Sequence, residues 1–209
     1  MRPYKTAHTE AKTKRIINRS RFISQCFPVR SEDEALSRLN EVRKQYPDAT
    51  HVCYAYRIGE LSETTRFSDA GEPSGTAGMP ILEVLKANEL TYVLCTVTRY
   101  FGGILLGAGG LVRAYSSGAA DAVKAAGMEK HIPGALIAFR CDYSRYGAIE
   151  SLIAKSNAAI TESEFTDEIR LSISCAKEDA DSITKAIIER TDGRCKPELA
   201  GECELVLPQ

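Results

Sequence analysis

Long apolar runs are missing from this 209-residue sequence: none approaches the roughly 18–20 residues that cross a bilayer. The first residues, Met1-Arg2-Pro3-Tyr4-Lys5, lack the apolar core of a secretion signal, so no membrane partner is expected and the cytoplasm is the expected location. Histidine is scarce, with only His8, His51 and His131. A Ser/His/Asp triad would have to recruit His51, and Gly71-Glu72-Pro73-Ser74-Gly75 is not the GxSxG elbow that makes a serine a nucleophile. Seven cysteines (26, 53, 95, 141, 175, 195 and 203) form no CxxC pair, and most lie in apolar runs such as Val93-Leu94-Cys95-Thr96-Val97. They read as reduced, buried hydrophobes, and His51-Val52-Cys53 alone is a poor start for a zinc site. No Gly-Lys-Ser/Thr follows a glycine loop, and Gly107-x-Gly109 lacks the third glycine of a dinucleotide fingerprint. No cofactor, no metal and no complete catalytic set are therefore expected. Binding is favoured over catalysis.

What is present is ordinary in bulk and uneven in charge. Hydrophobic content of 44% and charged content of 26% fit a globular chain of one large or two small domains. Net charge is −1, but residues 1–134 carry 18 Lys/Arg against 14 Asp/Glu, and residues 135–209 carry 9 against 14. The first 30 residues hold eight basic groups and one acid, Glu10. An anionic partner is thus expected at the N-terminal half.

Phe67–Arg113 carries the most information. A first glycine loop, Ser68 to Gly78, precedes a short helix over Pro80–Ala87, with Ile81, Val84 and Leu85 on one face. The strand Tyr92–Val97 follows, then a second glycine loop (Gly102, Gly103, Gly107, Gly109 and Gly110) and a helix over Leu111–Ala126. Strand, glycine turn and helix together aim backbone N–H groups and a positive dipole end at an anion. Arg99 and Arg113 can donate bidentately to phosphate, and Tyr100 or Phe101 can stack on a base. Equally, these glycines allow tight strand-on-helix packing beside solvated arginines. In the first loop, Ser68, Asp69, Glu72, Ser74 and Thr76 offer ligand or metal contacts, with His51 as a possible neighbour; they serve as well as turn caps.

The run Arg99-Tyr100-Phe101-Gly102-Gly103-Ile104-Leu105-Leu106-Gly107, preceded by FSDAGEPSGTAG, resembles the signature of the IMPACT family over roughly Arg15–Ala126. The resemblance implies a fold like domain 2 of a small-subunit ribosomal protein and a role in translational regulation. From about Pro133 the chain resembles the small second domain of bacterial members, likened to an elongation-factor domain. The resemblance implies that eukaryotic members carry a further N-terminal module that binds the activator of a starvation kinase, and no such module is expected in this sequence. RNA or a ribosome-associated factor is the expected partner; a metal-assisted enzyme on a nucleotide, or a protein scaffold, are the alternatives.

The rest of the chain reads as α+β. Residues 1–14 can pair as an edge strand, and Ile16–Val29 reads as a strand with Lys12, Lys14, Arg15, Arg19 and Arg21 as a basic segment around its start. Ser31 with Glu34 forms a capping box for a helix whose apolar positions are Ala35, Leu36, Leu39 and Val42. Thr50–Ile58 alternates as a strand, and Gly59–Thr65 reads as an exposed loop. The last helix of this half turns Val112, Ala119, Ala122 and Val123 inward, with Gly127 as C-cap. His131-Ile132-Pro133-Gly134 reads as a turn dividing domains 1–132 and 133–209. Beyond it the order βαββαβ is that of a ferredoxin-like domain.

Overall fold

A computed structural model describes residues 1–208. The chain forms two compact units, with their bulk in Pro3–Lys130 and His131–Val206. The first contains β1 (Tyr4–Ala7), β2 (Ala11–Ile17), β3 (Ser20–Pro28), α1 (Glu32–Gln45), β4 (His51–Ile58), β5 (Thr64–Ser68), α2 (Gly78–Ala87), β6 (Val93–Tyr100) and α3 (Gly107–Ala126). Its five-stranded sheet has the order β2-β3-β6-β4-β5, antiparallel throughout. Strand alternation assigns the two faces. Phe22, Cys26, Cys53, Ala55, Cys95 and Val97 pack against α2 and α3, whereas Phe27, Tyr56, Ile58 and Leu94 pack against α1.

Local signals explain several boundaries. Ser31 Oγ accepts the Glu34 N–H at 3.2 Å and opens α1, while Glu34 Oε2 accepts the Arg30 N–H at 2.8 Å, one residue ahead of the expected reciprocal partner. Gly127 closes α3 at φ 68°, a left-handed conformation that suits glycine.

Elsewhere the fold departs from the sequence expectation. Ile16–Val29 is not one strand: Asn18 (φ 45°) and Arg19 (φ 63°) turn the chain, and β2 and β3 form a hairpin with Ile17 opposite Ser20. Thr64 and Thr65 leave the expected loop, since β5 pairs with β4 as an edge strand. The glycine run 107–110 is the first turn of α3 rather than a loop ahead of it. Val112 and Leu36 point outward, and Tyr115, at helical spacing from Leu111 and Ala119, takes the core position.

The second unit has the ferredoxin-like order: β7 (Met128–Cys141), α4 (Tyr143–Ala154), β8 (Ala159–Phe165), β9 (Ile169–Ala176), α5 (Ala180–Arg190) and β10 (Glu198–Pro208). β9 lies between β7 and β8, and β10 pairs β7. Ile137, Phe139, Ile149, Ile153, Leu171, Ile173 and Ile187 fill the core beneath the two helices. The expected turn at His131–Gly134 is instead part of β7. Gly134 has a packing reason, since a Cβ there would lie 2.7 Å from Cys203 Sγ and from Leu205 Cγ of β10. Among the described residues no helix is long and apolar enough to cross a membrane.

Ser31→Ala removes the side-chain acceptor at the start of α1. A loss of about 1 kcal/mol is expected in urea denaturation, largely restored by Ser31→Asp.

Candidate functional site

The first glycine loop is wound around one carboxylate. Asp69 Oδ2 accepts the Gly75 N–H at 2.9 Å, and Oδ1 accepts the N–H groups of Ala77 (2.9 Å) and Gly78 (2.8 Å). These are the orphan donors at the start of α2, whose own N-cap position, Ala77, has no side chain able to accept them. Asp69 is therefore a cap reaching in from the preceding strand end. Burial alone would raise its pKa, but the Gly75, Gly78 and Ala77 N–H groups outweigh it and hold the carboxyl below its ordinary value. Ser68 Oγ accepts the Ala70 N–H, and Thr76 Oγ1 donates to Pro73 O at 2.6 Å, so both are turn-forming groups. Ser74 is exposed. Gly78 lies so close to β5 that a Cβ would meet the Ser68 backbone at 2.7 Å.

A second carboxylate from the same loop faces inward. Glu72 Oε1 accepts from Arg99 Nη1 at 2.7 Å and from the Tyr115 hydroxyl at 2.7 Å, and all three side chains are buried. His51 donates from Nδ1 to Ala70 O at 2.9 Å, which leaves Nε2 3.9 Å from the same Glu72 oxygen. Arg99 Nη2 donates to Ser20 Oγ at 3.3 Å, and that oxygen also accepts the Gly102 N–H at 3.2 Å. The guanidinium is flanked by the rings of Phe22 and Phe101 at 5.4 and 5.5 Å. Cys53 donates its thiol to Asp69 O, and burial pushes that thiol up to about 12, so it is inert as a nucleophile. Burial, then the neighbouring Cys53 and Glu72, likewise raises the Tyr115 hydroxyl.

The second glycine loop separates from this knot at Gly102, where a Cβ would fall into the backbone of Arg19 and Ser20. From there the chain projects outward. Phe101, Ile104 and Leu105 are exposed, Leu105 at 85%. Gly103 (φ 82°) takes a left-handed turn ahead of α3, and Gly107 (φ 70°) is left-handed where the helix begins. α3 has no side-chain cap, and Gly109 and Gly110 occupy its first turn. Arg113, one turn on, is exposed, and among the described residues its guanidinium has no ion pair or hydrogen-bonding partner; its Nη1 lies 4.0 Å from where a Gly109 side chain would begin. Tyr100 is held beside the loop by its hydroxyl bond to Asp48 and by Arg21, whose Cζ lies 4.0 Å from the ring centre.

The expected site residues thus fall into two groups. Arg99 and Glu72 form a buried pair with His51 half-buried 3.9 Å away, while Asp69, Ser68 and Thr76 brace the loop beside it; Tyr100 and exposed Ser74 stand apart from both groups. Gly103, Gly107, Gly109, Gly110 and Arg113 line an exposed rim, with Gly102 at the junction. Three further participants carry only weak sequence signals. Tyr115 is marked only by helical spacing from Leu111 and Ala119, Ser20 needs the hairpin to be seen, and Arg19, named in the basic segment, takes the hairpin turn itself. Among the described residues no group of three His, Cys, Asp or Glu stands close enough to hold a metal ion.

Fold and site define a two-domain α+β protein built around paired glycine loops. Residues 18–123 match the model of the Impact N-terminal domain, and residues 139–194 match a domain of unknown function, DUF1949. The chain belongs to the IMPACT family. It is 36% identical over 179 residues to the IMPACT family member YvyE of Bacillus subtilis, covering 86% of this chain and 82% of that one. It is 42% identical over 158 residues to an IMPACT family member of Thermus thermophilus, covering 76% and 85%. The Protein IMPACT homolog of Dictyostelium discoideum shares 39% identity over 43% of this chain and 26% of its own. A crystal structure of a hypothetical protein superposes over 96% of this chain and 98% of that one, at TM-score 0.62 and 28% identity.

Glu72→Gln is expected to cost about 3–5 kcal/mol in urea denaturation, because it leaves the Arg99 charge buried without its counter-ion. A double-mutant cycle with Arg99→Met checks the assignment, and additive losses would contradict it. Asp69 gives an acid dependence. With its pKa lowered on folding, its contribution is complete above the unfolded value of about 3.9 and is lost as pH falls through the folded value. Asp69→Asn is expected to lose less stability than wild type between neutral and strongly acidic pH.

Proposed function

We propose that the protein is a regulatory RNA-binding member of the IMPACT family, gripping RNA or an RNA-containing translation factor at the exposed rim ahead of α3. One observation carries the reading. Arg19 sits at φ 63° in the β2–β3 turn, a place that favours glycine, and its side chain is exposed with no partner. An arginine held in left-handed backbone costs of order 1–3 kcal/mol, and such cost is characteristic of positions kept for what the side chain meets. The turn packs against Gly102 through the Arg19 backbone, and its flanking Ile17 and Asn18 line one hollow with Arg113 of α3. With the uncapped helix start, two free guanidiniums suit a phosphate backbone. Exposed Phe101 offers a stacking surface beside them.

In this reading Gly103, Gly107, Gly109, Gly110 and Arg113 face the ligand, joined by Arg19. Arg99 acts from inside by positioning Phe101 and the loop start. The metal-assisted alternative draws on Asp69 and Glu72, and both carboxylates are already engaged, one by three backbone N–H groups and the other by Arg99 and Tyr115.

Fluorescence anisotropy with single-stranded RNA at two salt concentrations tests the reading. Affinity is expected to fall with salt at a slope of about −1.4, for two neutralised phosphates. Arg113→Ala weakens binding about uniformly across sequences. Arg19→Gly weakens it too while leaving the denaturation midpoint unchanged or higher, since glycine relieves the turn. Salt-independent binding, or wild-type affinity in both variants, overturns the proposal.

A further inference from the structure

Beside Arg113 lies a cleft of about 640 Å³ that the phosphate contacts leave unused. Its walls are Ile17 from the β2 end, Val84 from α2, and Leu106, Ala114 and Ala120 from the α3 side. Asn18, Ser116 and Ser117 supply the polar groups at its edge, and Arg113 is the one charged residue among those that line it. A second hollow of about 450 Å³ shares Val84 and Ser116 with the first, continuing along α2 and α3 past Met79, Pro80 and Val112. Met79 and Val112 are exposed apolar side chains there. The two hollows adjoin at Val84 and Ser116 and together follow α2 and α3 as a track, with Arg113 lining the first and Glu83, paired to Lys86 at 2.9 Å, lining the second.

We propose that this track takes unstacked bases of single-stranded RNA, with the base nearest Arg113 seated between Ile17, Val84, Leu106 and Ala114. The inference rests on the reading of the rim as an RNA-binding face and names what that face selects. Three features commit the track to this occupant. The first hollow combines an apolar slot with an unpaired cation at its mouth, the arrangement that a base joined to its phosphate requires. No acidic residue lines that hollow, so nothing repels the phosphate. The amide of Asn18 presents donors and an acceptor, and the oxygens of Ser116 and Ser117, whose protons go to Arg113 O and Ala114 O, add acceptors that can meet a base edge. A duplex keeps its bases paired and offers only its backbone, so selection for single strands follows from the cleft, whereas attraction to phosphate follows from the arginines.

The test compares three probes on the full chain by anisotropy at low salt: a dodecamer of uridine, an abasic ribose-phosphate dodecamer of equal charge, and a duplex RNA. Ala120→Phe, at an exposed position of α3, fills the first hollow without touching the core. Wild type is expected to bind the uridine strand at least tenfold tighter than the abasic strand or the duplex. Ala120→Phe is expected to remove that preference and leave abasic binding unchanged, with an unaltered denaturation midpoint showing that the variant is folded. Equal affinity of wild type for uridine and abasic strands, still sensitive to salt and to Arg113→Ala, overturns the base track and leaves the RNA-binding reading standing. Absence of binding to all three probes overturns both. Retained preference in folded Ala120→Phe places the base elsewhere and overturns the track.

Discussion

The buried pair of Arg99 and Glu72 is the interaction on which the first unit depends. A guanidinium and a carboxylate inside a protein are tolerated only when both are paired and their remaining donors and acceptors are used. Here the pair recruits Tyr115 from α3 and Ser20 from β3, and His51 from β4 stands 3.9 Å away. Five segments distant in sequence are thereby fixed to one point. The glycines follow from this closeness. Gly78 and Gly102 stand where backbone meets backbone, so a side chain at either would pry the knot open.

That arrangement also sorts the charges of the glycine-rich stretch. Arg99 is neutralised inside, where it orders the loop, and Arg113 and Arg19 remain outside without partners. Asp69 is spent on the start of α2, so the first loop presents a rigid rim with its nearest carboxylate turned into its own backbone. Arg15, by contrast, belongs to the basic segment in sequence but pairs with Asp121 of α3, and so contributes little net field. The positive edge expected from the count of basic residues is therefore narrower than the count, since Arg15 is neutralised while exposed Lys14 has no ion pair among the described residues.

Element types were largely legible because most segments carry a clean period: two in β4, 3.6 in α1, and βαββαβ punctuation in the second unit. The misreadings share a cause, namely tertiary contacts that outweigh local signals. Pro133-Gly134 spells a turn, yet β7 runs through it because β10 approaches too closely for any side chain at 134. Asn18-Arg19 lacks the glycine that marks a tight hairpin, so the turn was hidden inside an apparently continuous strand. The site was half legible. Glycines beside Arg99 and Arg113 single out this stretch, but burial divides two arginines that sequence treats alike. Nothing local states that Glu72 faces inward and Asp69 bends back on its own loop.

This division sets what the rim can achieve. In the proposed RNA-binding reading, two free arginines and a helix end would neutralise about two phosphates, which gives weak, non-selective attraction. Selectivity must therefore come from uncharged surface, and the apolar walls between α2 and α3 are the surface that adjoins those charges. Those walls exist because α3 begins with glycines and continues with Ala114, Ser117 and Ala120, residues too small to close the gap to α2. The composition that brings α3 close over the sheet, with Gly118 tight against Ser24, also leaves its outer groove unfilled. A single sequence choice, small residues along α3, thus serves the core on one side and opens a cleft on the other.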